Sequence, residues 1–445
     1  MNSLTPYLIV DICLVVGLAL ALVSRLSFWH PATVYLLFHL YSFSWRAVNL
    51  AYLGAAPMYA NNPNADVISA AEYERALVCA DIGLLVFCSA ALLAHAKFQR
   101  ASQQPIIRRT LSPQIITLVC VFAMPAGLWA LFAAKAGVSL SDAVADSGYF
   151  QSMAMWPIGC VGMLVYAYGF RWYSVMIGIL YIALVALQGY HRFMVLLPLI
   201  FFAAYYLQSR RRSWPTPLII VGGLALALVF PRLKYIGQAY QNGDTGEALY
   251  QLALSFTDKK TFDDVSAGEE FFDQFAGSLT LVDESGKKFY GSTYLAIVTL
   301  PIPRSMWADK PGLADHMNEI STSRRQYNLE GRILTYLGEA YLNFGYFGFL
   351  LVPGMLGFLL SNWCLRATSG PMRRLDRYLY TVFFMALIQT YRDGVLSLFV
   401  FTIVHNIPMA VAWALHLFPG VAPRVLDLPP ADPRAPEDGM IAVLP

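Results

Sequence analysis

The 445-residue chain sets several ionisable residues inside or beside long apolar stretches, where a charge is costly and is kept for pairing or for function. In residues 332–345, RILTYLGEAYLNFG, the helical period places Arg332, Tyr336, Glu339 and Asn343 on one face, and Ile333, Leu337, Ala340 and Phe344 on another. A polar stripe entering a membrane is what a substrate-facing helix presents. Glu339 offers a carboxylate able to take a proton; its plainer use is to complement the positive end of a helix dipole. Arg192 and Arg392 stand at the ends of apolar stretches, and a planar guanidinium suits phosphate oxygens. Basic residues at helix ends also snorkel to the interface with no further role. Asp11, Arg46 and Asp81 read either as a structural ion pair or as the wall of a polar cavity facing outward.

The elements that must position these groups are membrane helices. Of the residues, 57% are apolar and only 13% charged, with a mean hydropathy of +0.52, where soluble domains carry about 25% charged residues. The net charge of +3 is too small to point to a partner. Six cysteines, at 13, 79, 88, 120, 160 and 364, each fall in apolar sequence without CxxC or Cys/His spacing, and read as small core residues.

A span of about 20 apolar residues crosses a bilayer, which places eleven spans near 5–23, 32–54, 76–95, 114–134, 153–170, 173–189, 193–208, 217–231, 341–364, 378–391 and 395–417. No basic residue precedes the first, and Arg25 follows it, as expected of an uncleaved helix that enters with its N-terminus outside. With that orientation thirteen basic residues fall in short inner connections, against Arg75, Lys135, Arg192 and Arg392 outside. The organisation expected is helices 1–8 over 1–230, a large outer loop over 231–340, helices 9–11 over 341–418 and a Pro-rich disordered inner tail over 419–445. Within the loop, 247–256 and 269–281 look amphipathic, as for helices lying on the membrane surface, and 291–303 is apolar but too short to span.

Two segments carry a resemblance. YGSTYLAIVTLPIPRSMWADKPG (290–312) and GEAYLNFGYFGFL (338–350) resemble the bacterial oligosaccharide repeat-unit polymerases, the Wzy-type O-antigen polymerase family. Pro303, Arg304, Trp307, Lys310 and Pro311 occupy the pattern PR-x-x-W-x-x-KP, while Glu339, Tyr341, Asn343, Phe344 and Gly345 occupy a Glu-x-Tyr-x-Asn-Phe-Gly motif. GYHRFMVLLPL (189–199) resembles the family's Gly-x-x-Arg turn. The resemblance implies an all-α polytopic fold akin to the class C glycosyltransferases, in a bacterial inner membrane, with a periplasmic N-terminus and a cytoplasmic C-terminus. It implies transfer of a growing glycan from polyprenyl diphosphate to a new lipid-linked repeat unit, without cofactor or metal. Partners would be those lipid-linked donors and acceptors, membrane lipid and a chain-length-determining co-polymerase; no nucleic acid is implied.

Such chemistry needs cations on the diphosphate, a base near the acceptor hydroxyl and a cavity open to the bilayer. Glu339 (base), Arg304 and Arg392 are the expected catalytic residues, with Asp309 and His316 as reserve proton acceptors. Arg192, Lys310, Trp307, Arg332, Tyr336 and Asn343 are the expected substrate contacts. Each loop residue also has a plainer reading, Trp307 as an interfacial anchor and Lys310 as a solvated charge. Competing functions are an O-antigen ligase-type transfer to lipid A core, a lipid-linked oligosaccharide transporter or flippase, and a non-catalytic scaffold. The absence of an internal repeat counts against the transporter.

Overall fold

An apolar chain can satisfy its backbone away from water only inside each segment, and among the described residues of the computed structural model every regular element is helical and no strand occurs. The structure describes residues 2–23, 26–53, 68–100, 112–135, 152–187, 193–210, 212–229, 232–257, 271–299, 302, 306–307, 320, 335–368 and 374–417.

The first half contains α1 (Thr5–Val23), α2 (Pro31–His39), a π-helical turn (Leu40–Ser44) leading into α3 (Trp45–Tyr52), α4 (Ala70–Arg100) and α5 (Pro113–Lys135). Four shorter apolar helices follow: α6 (Trp156–Tyr168), α7 (Trp172–Leu187), α8 (Phe193–Ser209) and α9 (Pro217–Val229). Next come α10 (Leu233–Gln241), α11 (Thr245–Thr257), α12 (Phe271–Ser285) and α13 (Ser292–Thr299). The chain closes with α14 (Tyr336–Phe344), α15 (Gly348–Thr368), α16 (Arg374–Asp393), α17 (Val395–Thr402) and α18 (Ile407–Leu417).

Among the described residues, five stretches are long and apolar enough to cross a membrane: Thr5–Leu22, Ala70–Phe98, Pro113–Ala133, Tyr336–Leu365 and Val395–Leu415. The protein therefore has the helices of a polytopic membrane protein. The other expected spans are helices too, but differ from the expectation in length or continuity. At 13, 16, 17 and 13 residues, α6 to α9 rise only about 20–26 Å, short of the roughly 30 Å of a hydrocarbon core. The second expected span runs on through a π-helical turn from α2 into α3, and the ninth begins five residues early, at Tyr336. There Thr335 caps the helix, its hydroxyl accepting the Gly338 N–H at 3.2 Å.

Two apolar cores are joined by α16. Its residues Tyr380, Phe383, Phe384, Leu387 and Tyr391 enter the core built from α1–α4, α12, α14 and α15. Tyr378, Val382 and Met385, on its other side, enter the core of α5–α8. A helix buried on both sides keeps little polar surface, and α16 has its arginines at its ends. The pairing of α4 with α15 is close: a Cβ at Gly357 would run into the Phe87 carbonyl, so only glycine permits the approach. Five of the six cysteines are buried as expected, while Cys13 faces outward from α1.

Two expectations about charge are corrected. The segment anticipated as a surface helix over 269–281 is α12, and Phe271, Phe272, Phe275, Ala276 and Leu279 on it are buried against α4 and α14. What draws it inward is Asp273, which is 0% exposed. It accepts from Arg46 Nε at 2.8 Å and from the Tyr73 hydroxyl. Arg46 thus pairs with Asp273 rather than with Asp11 or Asp81, which meet His39 instead. A second tie lies nearby: Arg75 Nη1 is 2.6 Å from Asp283 and Nη2 donates to the Tyr341 hydroxyl at 2.6 Å, while that hydroxyl donates to Asp283.

Removing one partner of a buried pair costs about 3–5 kcal/mol, because the other charge stays out of water. Asp273→Ala is expected to lower stability by about that amount, read as a fall in unfolding temperature of the protein in detergent. A shift within the scatter of surface substitutions would show that the pair carries no such weight.

Candidate functional site

The motif GEAYLNFG begins two residues inside α14, and the structure sets against it the start of the segment that precedes it in the resemblance. Backbone bonds run from Phe289 N to the Leu342 carbonyl at 3.2 Å and from Tyr290 N to the Asn343 carbonyl at 3.1 Å. Asn343, 0% exposed, accepts the Gly291 N–H at 2.9 Å and donates to Thr293 Oγ1 at 2.7 Å and to the Glu339 carbonyl at 2.8 Å. Tyr290 and Gly291 take positive φ of 48° and 91° to make this turn. The start of the first resembling segment, residues 290–293, and the second segment, about fifty residues apart in sequence, are one structural unit at the head of α13 and α14.

Glu339 is the centre of that unit. Its Oε2 accepts the Val395 N–H at 2.7 Å, at the first turn of α17, and its Oε1 accepts from Thr293 at 3.2 Å. A carboxylate on the unsatisfied N–H groups of a helix start is favoured by charge and by hydrogen bonding together. The dipole reading of Glu339 thus holds in part, but its clearest partner is the start of α17. The approach depends on Gly394, whose φ is 103° and where a Cβ would lie 2.6 Å from Glu339 Oε2.

Directly below lies an apolar groove of about 740 Å³. Tyr294 and Ile297 of α13, Phe344, Leu351 and Met355 of α14 and α15, Leu379 of α16 and Val395, Leu398 and Phe399 of α17 line it. Tyr294 and Phe344 stack at its head, with ring centroids 6.3 Å apart. Val395 belongs to both features, its side chain in the groove and its N–H on Glu339.

The structure brings some expected residues together and not others. Glu339 and Asn343 meet directly. Tyr336, on the same helix, turns into a buried ring cluster, with centroids 5.3 Å from Tyr35 and 5.8 Å from Tyr391. Arg392 ends α16 two residues before Gly394 and is half-exposed. Its Nε is 3.3 Å from Asp393, and its guanidinium lies 5.4 Å from the Phe271 ring centroid. Trp307 is exposed. Arg192, Arg304, Lys310 and Arg332, with Asp309 and His316, lie outside the described residues.

Sequence reading missed Thr293, Gly394 and Lys288, whose ammonium would lie 2.9 Å from a Cβ at Gly345. The signal for Gly394 was available: a glycine between two apolar helices marks a start, and a buried helix start needs an acceptor. The serviceable signal for Thr293 was its place in the quoted YGSTYLAI.

Gly394→Ala combines strain at positive φ with a collision on Glu339. It is expected to destabilise by about 1–3 kcal/mol, measured by thermal unfolding in detergent, while Gly→Ala at the open Gly17 leaves stability within about 1 kcal/mol. Equal behaviour of the two variants would remove the clasp from the argument. Comparison with known proteins finds no matching family model, no matching curated protein and no matching solved structure.

Proposed function

We propose that the chain is a membrane glycosyltransferase that polymerises polyprenyl-diphosphate-linked oligosaccharide repeat units at the periplasmic face of a bacterial inner membrane, through an eleven-span fold akin to the class C glycosyltransferases. The observation that carries this reading is the junction at Val395, where a polar clasp built from the two resembling segments meets the head of a large apolar groove. A lipid-linked sugar has that same division, with a polyprenyl chain to be kept in apolar surroundings and a charged, hydroxylated head to be oriented. Binding sites of this volume and lining take drug-sized or lipid ligands.

In this reading the polyprenyl tail lies in the groove between α13, α15, α16 and α17. Arg392 and Lys288 supply positive charge for the departing diphosphate, and Arg304, Lys310, Arg192 and Arg332, which lie outside the described residues, are assigned to the same task from the sequence alone. Glu339 is the base. Its Oε2 is anchored on the Val395 N–H, and its Oε1, held among the described residues by the 3.2 Å bond from Thr293, is the oxygen that an acceptor hydroxyl reaches when it displaces Thr293. The hydroxyl proton passes to Oε1 as its oxygen attacks the anomeric carbon and the lipid diphosphate departs. Tyr336 and Asn343 act by holding α14 and the Tyr290–Gly291 turn in register.

Glu339→Gln separates a base from a clasp. The amide oxygen still accepts the Val395 N–H and the amide nitrogen can donate to Thr293, but the group cannot take a proton at neutral pH. With purified protein and a polyprenyl-diphosphate oligosaccharide, the wild type is expected to give a ladder of repeat units. Glu339→Gln is expected to lose at least about 100-fold in rate without losing stability. Arg304→Ala and Arg392→Ala are expected to abolish the ladder in inserted protein. A ladder of normal rate from Glu339→Gln would leave Glu339 with the clasp alone. Transfer only when a lipid A core acceptor is added would make the enzyme a ligase, and no transfer in either mixture would remove the enzyme reading.

The groove has its own test. Leu359, exposed on α15 at the groove wall, is replaced by tryptophan to narrow it. The expected result is a several-fold rise in KM for the lipid-linked donor with an unchanged unfolding temperature; an unchanged KM would take the tail out of the groove.

A further inference from the structure

One buried cluster takes no part in the reading above. Asp11 of α1, His39 at the end of α2 and Asp81 of α4 converge, each offering a ligand atom within 4.8 Å of the others. Asp11 and His39 are fully buried and Asp81 is 9% exposed. We propose that these three side chains form a binding site for a divalent transition-metal ion of the Zn²⁺ class, which fastens α1, α2 and α4 together inside the bundle.

The geometry at one atom makes the case. His39 Nε2 lies 2.9 Å from Asp11 Oδ1 and 3.4 Å from Asp81 Oδ1, so two carboxylate oxygens converge on one nitrogen. An imidazole nitrogen carries a single proton, which makes one good hydrogen bond. That bond goes to Asp11, and Asp81 Oδ1 is left buried without a donor, as are Asp11 Oδ2 and His39 Nδ1. Leaving one such atom unmet costs about 1–3 kcal/mol, more for a charged group. A metal ion takes the place of that proton, which moves to Nδ1 as the ring adopts its other neutral tautomer, and the ion serves both oxygens and the nitrogen at once. With bonds of about 2.0–2.1 Å, neighbouring ligand atoms stand about 2.9 Å apart at right angles and about 3.4 Å apart at the tetrahedral angle. The two separations already fall at those values.

Charge supports the same conclusion. Arg46 meets Asp273 and Arg75 meets Asp283, one positive group for each negative one. Two carboxylates around one histidine sum to −2 with a neutral ring and −1 with a protonated one. A divalent ion neutralises the first arrangement, and one imidazole with two carboxylates is a ligand set suited to Zn²⁺ or Mn²⁺ rather than to Ca²⁺. The backbone at the site is also unusual. His39 leads directly into the π-helical turn Leu40–Ser44, a feature frequent at functional sites. That turn carries two further buried hydroxyls, Ser42 and Ser44, the latter against Asp11 and able to supply a fourth ligand.

The test uses full-length protein in detergent, stripped with a chelator, dialysed against Zn²⁺ and passed through gel filtration. About one Zn²⁺ per chain is expected to remain. His39→Gln and Asp81→Asn, which keep size and lose the ligand, are expected to retain at least tenfold less while eluting as the wild type does. Zn²⁺ is expected to raise the unfolding temperature of the wild type and of neither variant, and Co²⁺ is expected to give visible d–d absorption only in the wild type. No retained metal in the wild type overturns the proposal, as does equal retention in the wild type and both variants. Because the wild-type stoichiometry and Co²⁺ spectrum need no variant, a variant that fails to fold leaves the proposal open to refutation.

Discussion

A carboxylate among apolar helices has to find its donors inside the protein, and the choice of donors decides what else can be built around it. Glu339 takes the N–H of Val395, and this single bond joins the start of α17 to the middle of α14. Gly394 must then be glycine, because any side chain there would occupy the space of the carboxylate. Thr293 must come alongside to serve the other oxygen, and Asn343 must reach back to hold Thr293. The turn at Tyr290 and Gly291 follows from Asn343. Three helices, α13, α14 and α17, are therefore held by one buried carboxylate, and the groove opens beside them.

The same logic governs the rest of the bundle. Asp273 would be a liability in an apolar helix, yet Arg46 and Tyr73 convert it into the reason α12 is buried instead of lying on a surface. The Arg75–Asp283–Tyr341 triangle ties α4, α12 and α14 in one contact set. In water such pairs contribute little, since the separated ions are well solvated. Where the surroundings are apolar, losing the partner is far worse than never having had either. Specific orientation among helices that are equally greasy on most sides comes from these few polar contacts.

That distinction explains what could be read from the residues in advance. Apolar length places the helices, and the described residues of each expected span lie largely in helices, because hydropathy is a local property. The π-helical turn, the early start of α14 and the inward turn of α12 all depend on partners far away in sequence. Arg46 and Asp273 are 227 residues apart, and no periodicity links them. At the candidate site the spacing of Tyr336, Glu339 and Asn343 was legible because they share one helix. The roles were not: Tyr336 serves a ring cluster, Asn343 a turn, and Glu339 a helix start on another element. His39 passed unnoticed because a lone histidine in an apolar stretch has no local signature; only its convergence with Asp11 and Asp81 makes it conspicuous.

The position of Val395 gives the site a further property. Its N–H fixes the polar clasp and its side chain forms part of the groove wall, so clasp and groove are registered by one residue. Tyr294 and Phe344, stacked at the groove head, belong to the same two segments that supply Thr293, Glu339 and Asn343. An occupant that spreads α13 from α17 pulls on the Thr293 contact, the longer of the two that Glu339 accepts, before it strains the shorter bond to Val395. Filling the groove and freeing one oxygen of Glu339 are thus mechanically connected, while the other oxygen stays fixed and keeps the carboxylate aimed.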